Sequence, residues 1–230
     1  MTAPDTIEAL ILDNDGVIVD SERFHIEAER RLLAEAGLEF DHDAYCSAFV
    51  GLSHSAYLRA VERSFQRAGY AGLPDDFEAR LLVTAEVDVL EALTAIADIE
   101  QVLDVMGPRP VAVASSARVG VLRAKLERVG LLSALLPHVY SAELVERGKP
   151  APDLFLLAAD RLGVAPHRCV VVEDSVHGIR AARAAGMLAF GFTGGSHADT
   201  ALEQRLFAAG ANQVFSTHVA VAKAISSGRN

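Results

Sequence analysis

With 230 residues, 51% hydrophobic and 23% charged, the chain can bury a substantial core and reads as an ordinary globule, not a disordered segment. A formal net charge of −10, with no basic stripe, argues against nucleic acid or an anionic membrane as partner. Cys46 and Cys169 lack metal-ligand or disulfide-framework spacing, and the start Met1-Thr2-Ala3-Pro4-Asp5 has no basic leader, so reduced thiols and a cytoplasmic location are expected.

In chain order, residues 8–13 predict a short buried strand. Ser21 to Gly37 predicts an amphipathic helix, with Ser21 near its cap and Gly37 just past its end. The chain then continues helical to about residue 94, with a loop at Val50-Gly51-Leu52-Ser53, a helix from Ala56 to Arg67 and one or two more from Asp75 to Leu93. From Val111 the pattern alternates: strands near 111–115, 138–141, 169–173, 187–193 and 213–216, and helices near 117–129, 152–162, 176–185, 199–209 and 218–226. Gly130, Gly163, Gly186 and Gly210 each follow a helical pattern, as C-terminal glycines do. This alternation predicts an α/β fold with a Rossmann-like parallel sheet, covered on both faces, into which an α-helical unit is inserted. The expected domains are a core of 1–20 and 95–230 and an insert of 21–94.

Chemistry concentrates at the predicted strand ends. Asp13-Asn14-Asp15-Gly16-Val17 follows the first strand, and such an exit is where open α/β sheets bind ligands. Two carboxylates about 4 Å apart at an effective dielectric of about 20 repel by about 4 kcal/mol. Asp13 and Asp15 are therefore expected to share a proton or to recruit a cation. Ser115-Ser116 follows the second strand, where hydroxyls and the opening N–H groups of a helix can hold phosphate oxygens. Gly148-Lys149-Pro150 supplies a fixed cation, and Glu173-Asp174 ends a β-branched strand with Ser175 placed to cap the next helix. Hard oxygen donors without histidine or cysteine at ligand spacing suit Mg²⁺.

Asp13-x-Asp15-Gly16-Val17, Ser115, Lys149-Pro150 and Glu173-Asp174-Ser175-x-x-Gly178 together resemble the four motifs of the haloacid dehalogenase-like superfamily. The resemblance spans about residues 7 to 225 and is nearest to the phosphatase and β-phosphoglucomutase-like branch, whose helical cap follows the first motif. It implies an Asp13 nucleophile and Asp15 as general acid and base. It also implies Mg²⁺ held by Asp13, the Asp15 carbonyl and Asp174 with support from Glu173, and phosphate held by Ser115, Ser116 and Lys149. The expected activity is hydrolysis of a small sugar phosphate or sugar-acid phosphate through an aspartyl-phosphate, and a monomer is the expected form.

A phosphosugar mutase remains the alternative. The chain has three lysines, Lys125, Lys149 and Lys223, and none between Ser21 and Leu93, whereas mutase relatives grip a second phosphate with basic cap residues and the family's phosphonate hydrolases use a cap lysine. Dehalogenases of the same fold lack the second aspartate, and signalling receivers are about half this length. His25, His54 and Arg59 are the candidate substrate contacts from the insert, and Gly194-Gly195-Ser196 reads as a plain loop.

Overall fold

The structure, a computed structural model, describes residues 7–49, 54–81 and 93–227. It divides into two compact units, Met1–Asp20 with Leu93–Asn230, and Ser21–Ala92. In the first unit six strands form one sheet in the order β3-β2-β1-β4-β5-β6: β1 (Ala9–Leu12), β2 (Val111–Ser115), β3 (Val139–Ser141), β4 (Cys169–Glu173), β5 (Leu188–Phe192) and β6 (Gln213–Phe215). All pairings are parallel, with Leu10 beside Val111 on one side and Val170 on the other. The fold class expected from the alternation is the one found.

The central strands are buried on both faces, which is why β1 and β4 read as unbroken apolar runs. On one face Ala9, Ile11, Ala112, Ala114 and Val171 pack against Leu154, Phe155, Ile179 and Leu206 of the helices Asp153–Leu162, Val176–Ala184 and Leu202–Ala209. The alternate residues, Leu10, Leu12, Val113, Val170 and Val172, are likewise buried, and Phe192 stacks on His218 at 4.4 Å. His218 opens the helix His218–Ser227, which packs on the helix Ile99–Met106.

Ile99–Met106 was not expected from sequence. It starts from Asp98, an N-cap residue type with Gln101 three positions on, although Asp98 adopts a left-handed conformation (φ 65°) and makes no side-chain cap bond. Ser21 likewise makes no capping hydrogen bond to its helix Glu22–Glu35, whereas Ser175 does cap as expected, accepting from Gly178 N at 3.0 Å.

The two chain crossings toward the helical unit run side by side within the α/β unit. Asp20 N donates to Thr94 O at 3.1 Å, Ile96 N donates to Ile18 O at 2.8 Å, and Val19 bridges Ala95 in antiparallel fashion. Leu93 and Thr94 therefore belong with the sheet.

The unit Ser21–Ala92 contains the helices Glu22–Glu35, His42–Phe49 and His54–Arg67 and a helical segment at 77–81. Ile26, Leu33, Tyr45, Phe49, Val61, Phe65 and Phe77 make its core, with edge-on ring contacts such as Phe49 to Tyr57 at 5.6 Å. Among the described residues no helix is long and apolar enough to cross a membrane.

Ile11 lies in the central strand with no exposed surface. Ile11→Ala is expected to destabilise the α/β unit by about 2–5 kcal/mol. Urea unfolding compared with the parent chain measures the loss.

Candidate active site

The strand order reverses beside β1, and the residues that carry chemistry leave the carboxyl ends of β1, β2 and β4, at this switch point. After β1 the chain turns within six residues. Ile18 N and Val19 N donate to Asn14 O at 2.8 and 3.0 Å, and Gly16 N donates to Val19 O at 2.8 Å. Gly16 has φ 78°, and a Cβ there would lie 1.8 Å from Asp174 Oδ2, so both conformation and space demand glycine.

Asp13, Glu173 and Asp174 offer carboxylate oxygens within 4.8 Å of one another. Lys149 Nζ enters this group, donating to Asp13 Oδ1 at 2.5 Å, Glu173 Oε2 at 2.7 Å and Ala114 O at 3.0 Å. Its side chain is 5% exposed, so the ammonium is solvated by the protein instead of by water. Glu173 is held from its other oxygen, which accepts from Ser175 Oγ at 2.7 Å. Gly178 completes this corner, because a Cβ on it would lie 1.9 Å from Glu173 Cδ.

Burial and the neighbouring Glu173 push the Asp13 carboxyl well above the usual carboxylate range, against the opposing pull of Lys149. Burial raises Glu173 too, with Lys149 again opposing and Asp174 adding repulsion. Burial alone would lower Lys149, yet the carboxylates of Asp13 and Glu173 outweigh it and raise its pKa. The cluster is short of positive charge. Its donors are hard oxygens, so the site fits a divalent cation such as Mg²⁺.

The two aspartates of the first motif were expected to share a proton or to recruit a cation, and in the structure each pairs with an ammonium: Lys149 with Asp13 and Lys125 with Asp15. Lys125 lies on the helix Val119–Arg128 and was missed from sequence. Also missed was His197, whose Nε2 is 3.1 Å from Asp174 Oδ2. It sits in the loop after β5 that was read as plain, where Ser196 N and Oγ also donate to Asp20 Oδ1 at 3.1 and 2.8 Å.

Ser115 is buried at the end of β2, its Oγ accepting from Ala117 N at 3.1 Å, while Ser116 is exposed. The helix after these serines runs from Val119 to Arg128, and Val119 N donates to Glu143 Oε2 at 2.8 Å. His25 is half-buried on Glu22–Glu35, Arg59 is exposed on His54–Arg67, and the side chain of His54 lies outside the described residues, as does that of Cys46. Cys169 is a free buried thiol.

A family model for haloacid dehalogenase-like hydrolases matches residues 7–186. The chain belongs to this family. It is 36% identical over 179 residues to the fructose-1-phosphate phosphatase of Escherichia coli, covering 77% of this chain and 92% of that one. A haloacid dehalogenase-like protein of unknown function from Agrobacterium tumefaciens has the same fold, with a TM-score of 0.86 and 33% identity over 97% of this chain and 100% of that one. A hydrolase of the family from Deinococcus radiodurans, solved with bound phosphate and sodium, superposes with a TM-score of 0.82 and 33% identity, covering 99% and 97% of the two chains.

Gly16→Ala is expected to push Asp174 away from Asp13 and to weaken Mg²⁺ binding about tenfold or more, roughly 1.4 kcal/mol, without unfolding the sheet. Calorimetric titration of Mg²⁺ into both proteins, with circular dichroism as the fold control, measures this.

Proposed function

We propose that the chain is a Mg²⁺-dependent phosphatase of small phosphorylated metabolites, sugar phosphates foremost, acting through an aspartyl-phosphate on Asp13. The observation that carries the reading is the triad of buried Asp13 and Glu173 and half-buried Asp174 with Lys149 among them. The family membership supports it, as do a relative named for fructose-1-phosphate hydrolysis and a structural neighbour that holds phosphate.

Asp13 and Asp174, with the Asp15 carbonyl, would hold the cation, and Glu173 would add charge while anchoring Lys149. Mg²⁺ when bound neutralises the carboxylates and draws charge from the phosphoryl oxygens. An Asp13 oxygen attacks phosphorus, and the bond from phosphorus to the sugar oxygen breaks as Asp15 gives that oxygen a proton. Water then attacks the phosphorus, Asp15 takes the water's proton, and Asp13 leaves as a carboxylate with inorganic phosphate released. Lys149 and Ser115 stabilise the charge on the transferring group, which is most of what phosphoryl transfer requires.

The helical unit enters the chain eight residues after Asp13 (13 to 21), and we assign it the choice of substrate, with His25, His54 and Arg59 as the positions to vary. Its lack of lysine from Ser21 to Leu93 favours hydrolysis over a mutase cycle, which needs a grip on a second phosphate. Incubation with β-glucose 1-phosphate and a trace of the bisphosphate distinguishes them. Phosphate release should outpace glucose 6-phosphate formation, and the reverse order would make the chain a mutase.

A panel of sugar phosphates assayed with Mg²⁺ is expected to show phosphate release that stops on chelation and returns with added Mg²⁺. Asp13→Asn should reduce turnover to background in a folded protein. Lys149→Ala removes charged hydrogen bonds of about 1.5–3 kcal/mol each, an expected loss of roughly ten- to hundredfold in kcat/KM. Steady-state kinetics on the preferred substrate checks both variants.

A further inference from the structure

The α/β unit buries a second ammonium that the chemistry above does not use. Lys125 lies on the helix Val119–Arg128 between Leu122 and Leu126, both fully buried, and its own side chain is 4% exposed. Its Nζ donates to Asp15 Oδ1, reaching from the helix after β2 to the turn after β1. We propose that Lys125 is a positioning residue for Asp15, fixing the carboxylate so that it can pass its proton to the leaving oxygen. This rests on the reading of Asp15 as the proton donor and deepens it.

Packing alone does not account for a lysine there. A methionine has similar length and volume and would bury no charge, whereas a buried ammonium is tolerated only when paired. Asp15 has good reason to need a holder. Its side chain is 27% exposed on a turn beyond the end of the strand, where a short side chain can change rotamer at little cost. A proton donor must lie within hydrogen-bond reach of the atom it protonates, and a displacement of about 1 Å can cost on the order of a hundredfold in rate. Asp13 is fixed by Lys149; Asp15 is fixed in parallel by Lys125. The proton that moves goes from Asp15 to the departing alcohol oxygen and is replaced from the attacking water.

The test uses leaving groups of different need. Para-nitrophenolate departs without a proton, while an alkoxide does not. Values of kcat/KM are measured with Mg²⁺ on para-nitrophenyl phosphate and on glycerol 2-phosphate for the full chain and for Lys125→Met and Lys125→Arg. Lys125→Met is expected to lose about tenfold more on the alkyl ester than on the aryl ester, the size of a displaced but still present donor, and Lys125→Arg to close part of that gap. Equal losses on the two esters, or no loss on either, would overturn the proposal, because a purely structural lysine affects both alike. Should Lys125→Met fail to fold, the alkyl-specific loss is still expected, smaller, in Lys125→Arg, and its absence there overturns the proposal.

A second measurement is independent of turnover. Thermal unfolding of the metal-free chain with Lys125→Met, Asp15→Asn and both together should show non-additive losses, whereas additive losses would mean that the pair does not hold Asp15. If the parent chain hydrolyses neither ester, the phosphatase reading has failed, while this cycle still decides whether the pair exists.

Discussion

The ammonium of Lys149, held by Asp13, Glu173 and the carbonyl of Ala114, is the interaction on which the rest of the site depends. Carboxylates buried at a sheet edge repel one another and lose the solvation that would keep them charged. Without a cation among them they would protonate, and a protonated Asp13 is no nucleophile. Lys149 alone does not meet the demand, since the Asp13 carboxyl is still driven upward by burial and by Glu173. The four acidic side chains Asp13, Asp15, Glu173 and Asp174 face the two buried lysines Lys149 and Lys125, a shortfall matching the charge of one divalent ion. The Mg²⁺ of the proposed reaction would supply that missing charge.

The fold serves this charge arrangement by bringing strand ends together. Parallel pairing aligns the exits of β1, β2 and β4, so residues more than a hundred positions apart meet without a long structured loop. Close approach then requires missing side chains at two places. Gly16 admits the Asp174 carboxylate and Gly178 admits Glu173. The loop after β5 joins the site to the crossing: His197 meets Asp174 while the adjacent Ser196 holds Asp20, the last residue before the helical unit.

Legibility in the sequence followed the range of the interactions. Elements defined by local periodicity and by glycine ends were readable, and Gly130, Gly163, Gly186 and Gly210 all have positive φ. The helix Ile99–Met106 escaped although Asp98 and Gln101 stand at capping positions, because its eight residues follow directly on the crossing read as a connection. Asp13, Lys149, Glu173 and Asp174 could be grouped because each sits at a strand exit or in a recognisable short motif. Lys125 could not, since within Leu122-Arg123-Ala124-Lys125-Leu126 nothing local separates a buried lysine from a solvated one; its partner is 110 residues away. His197 was hidden in the same way, in a polar loop whose position is set by β5. The contact of Glu143 with Val119 N was hidden too, since it joins the helix after β2 to the 3-10 turn Ala142–Leu144 that follows β3.

Attack of Asp13 on phosphorus, as proposed, would leave a phosphoryl group on that residue. An aspartyl-phosphate can be reduced by borohydride to homoserine, which marks the residue that carried the phosphoryl group. The chain is mixed with Mg²⁺ and its preferred phosphate ester, quenched during turnover, reduced and mapped by peptide mass spectrometry. Homoserine at position 13, absent when substrate is omitted, is the predicted result; homoserine at another acidic position, or at none while phosphate is being released, would contradict it.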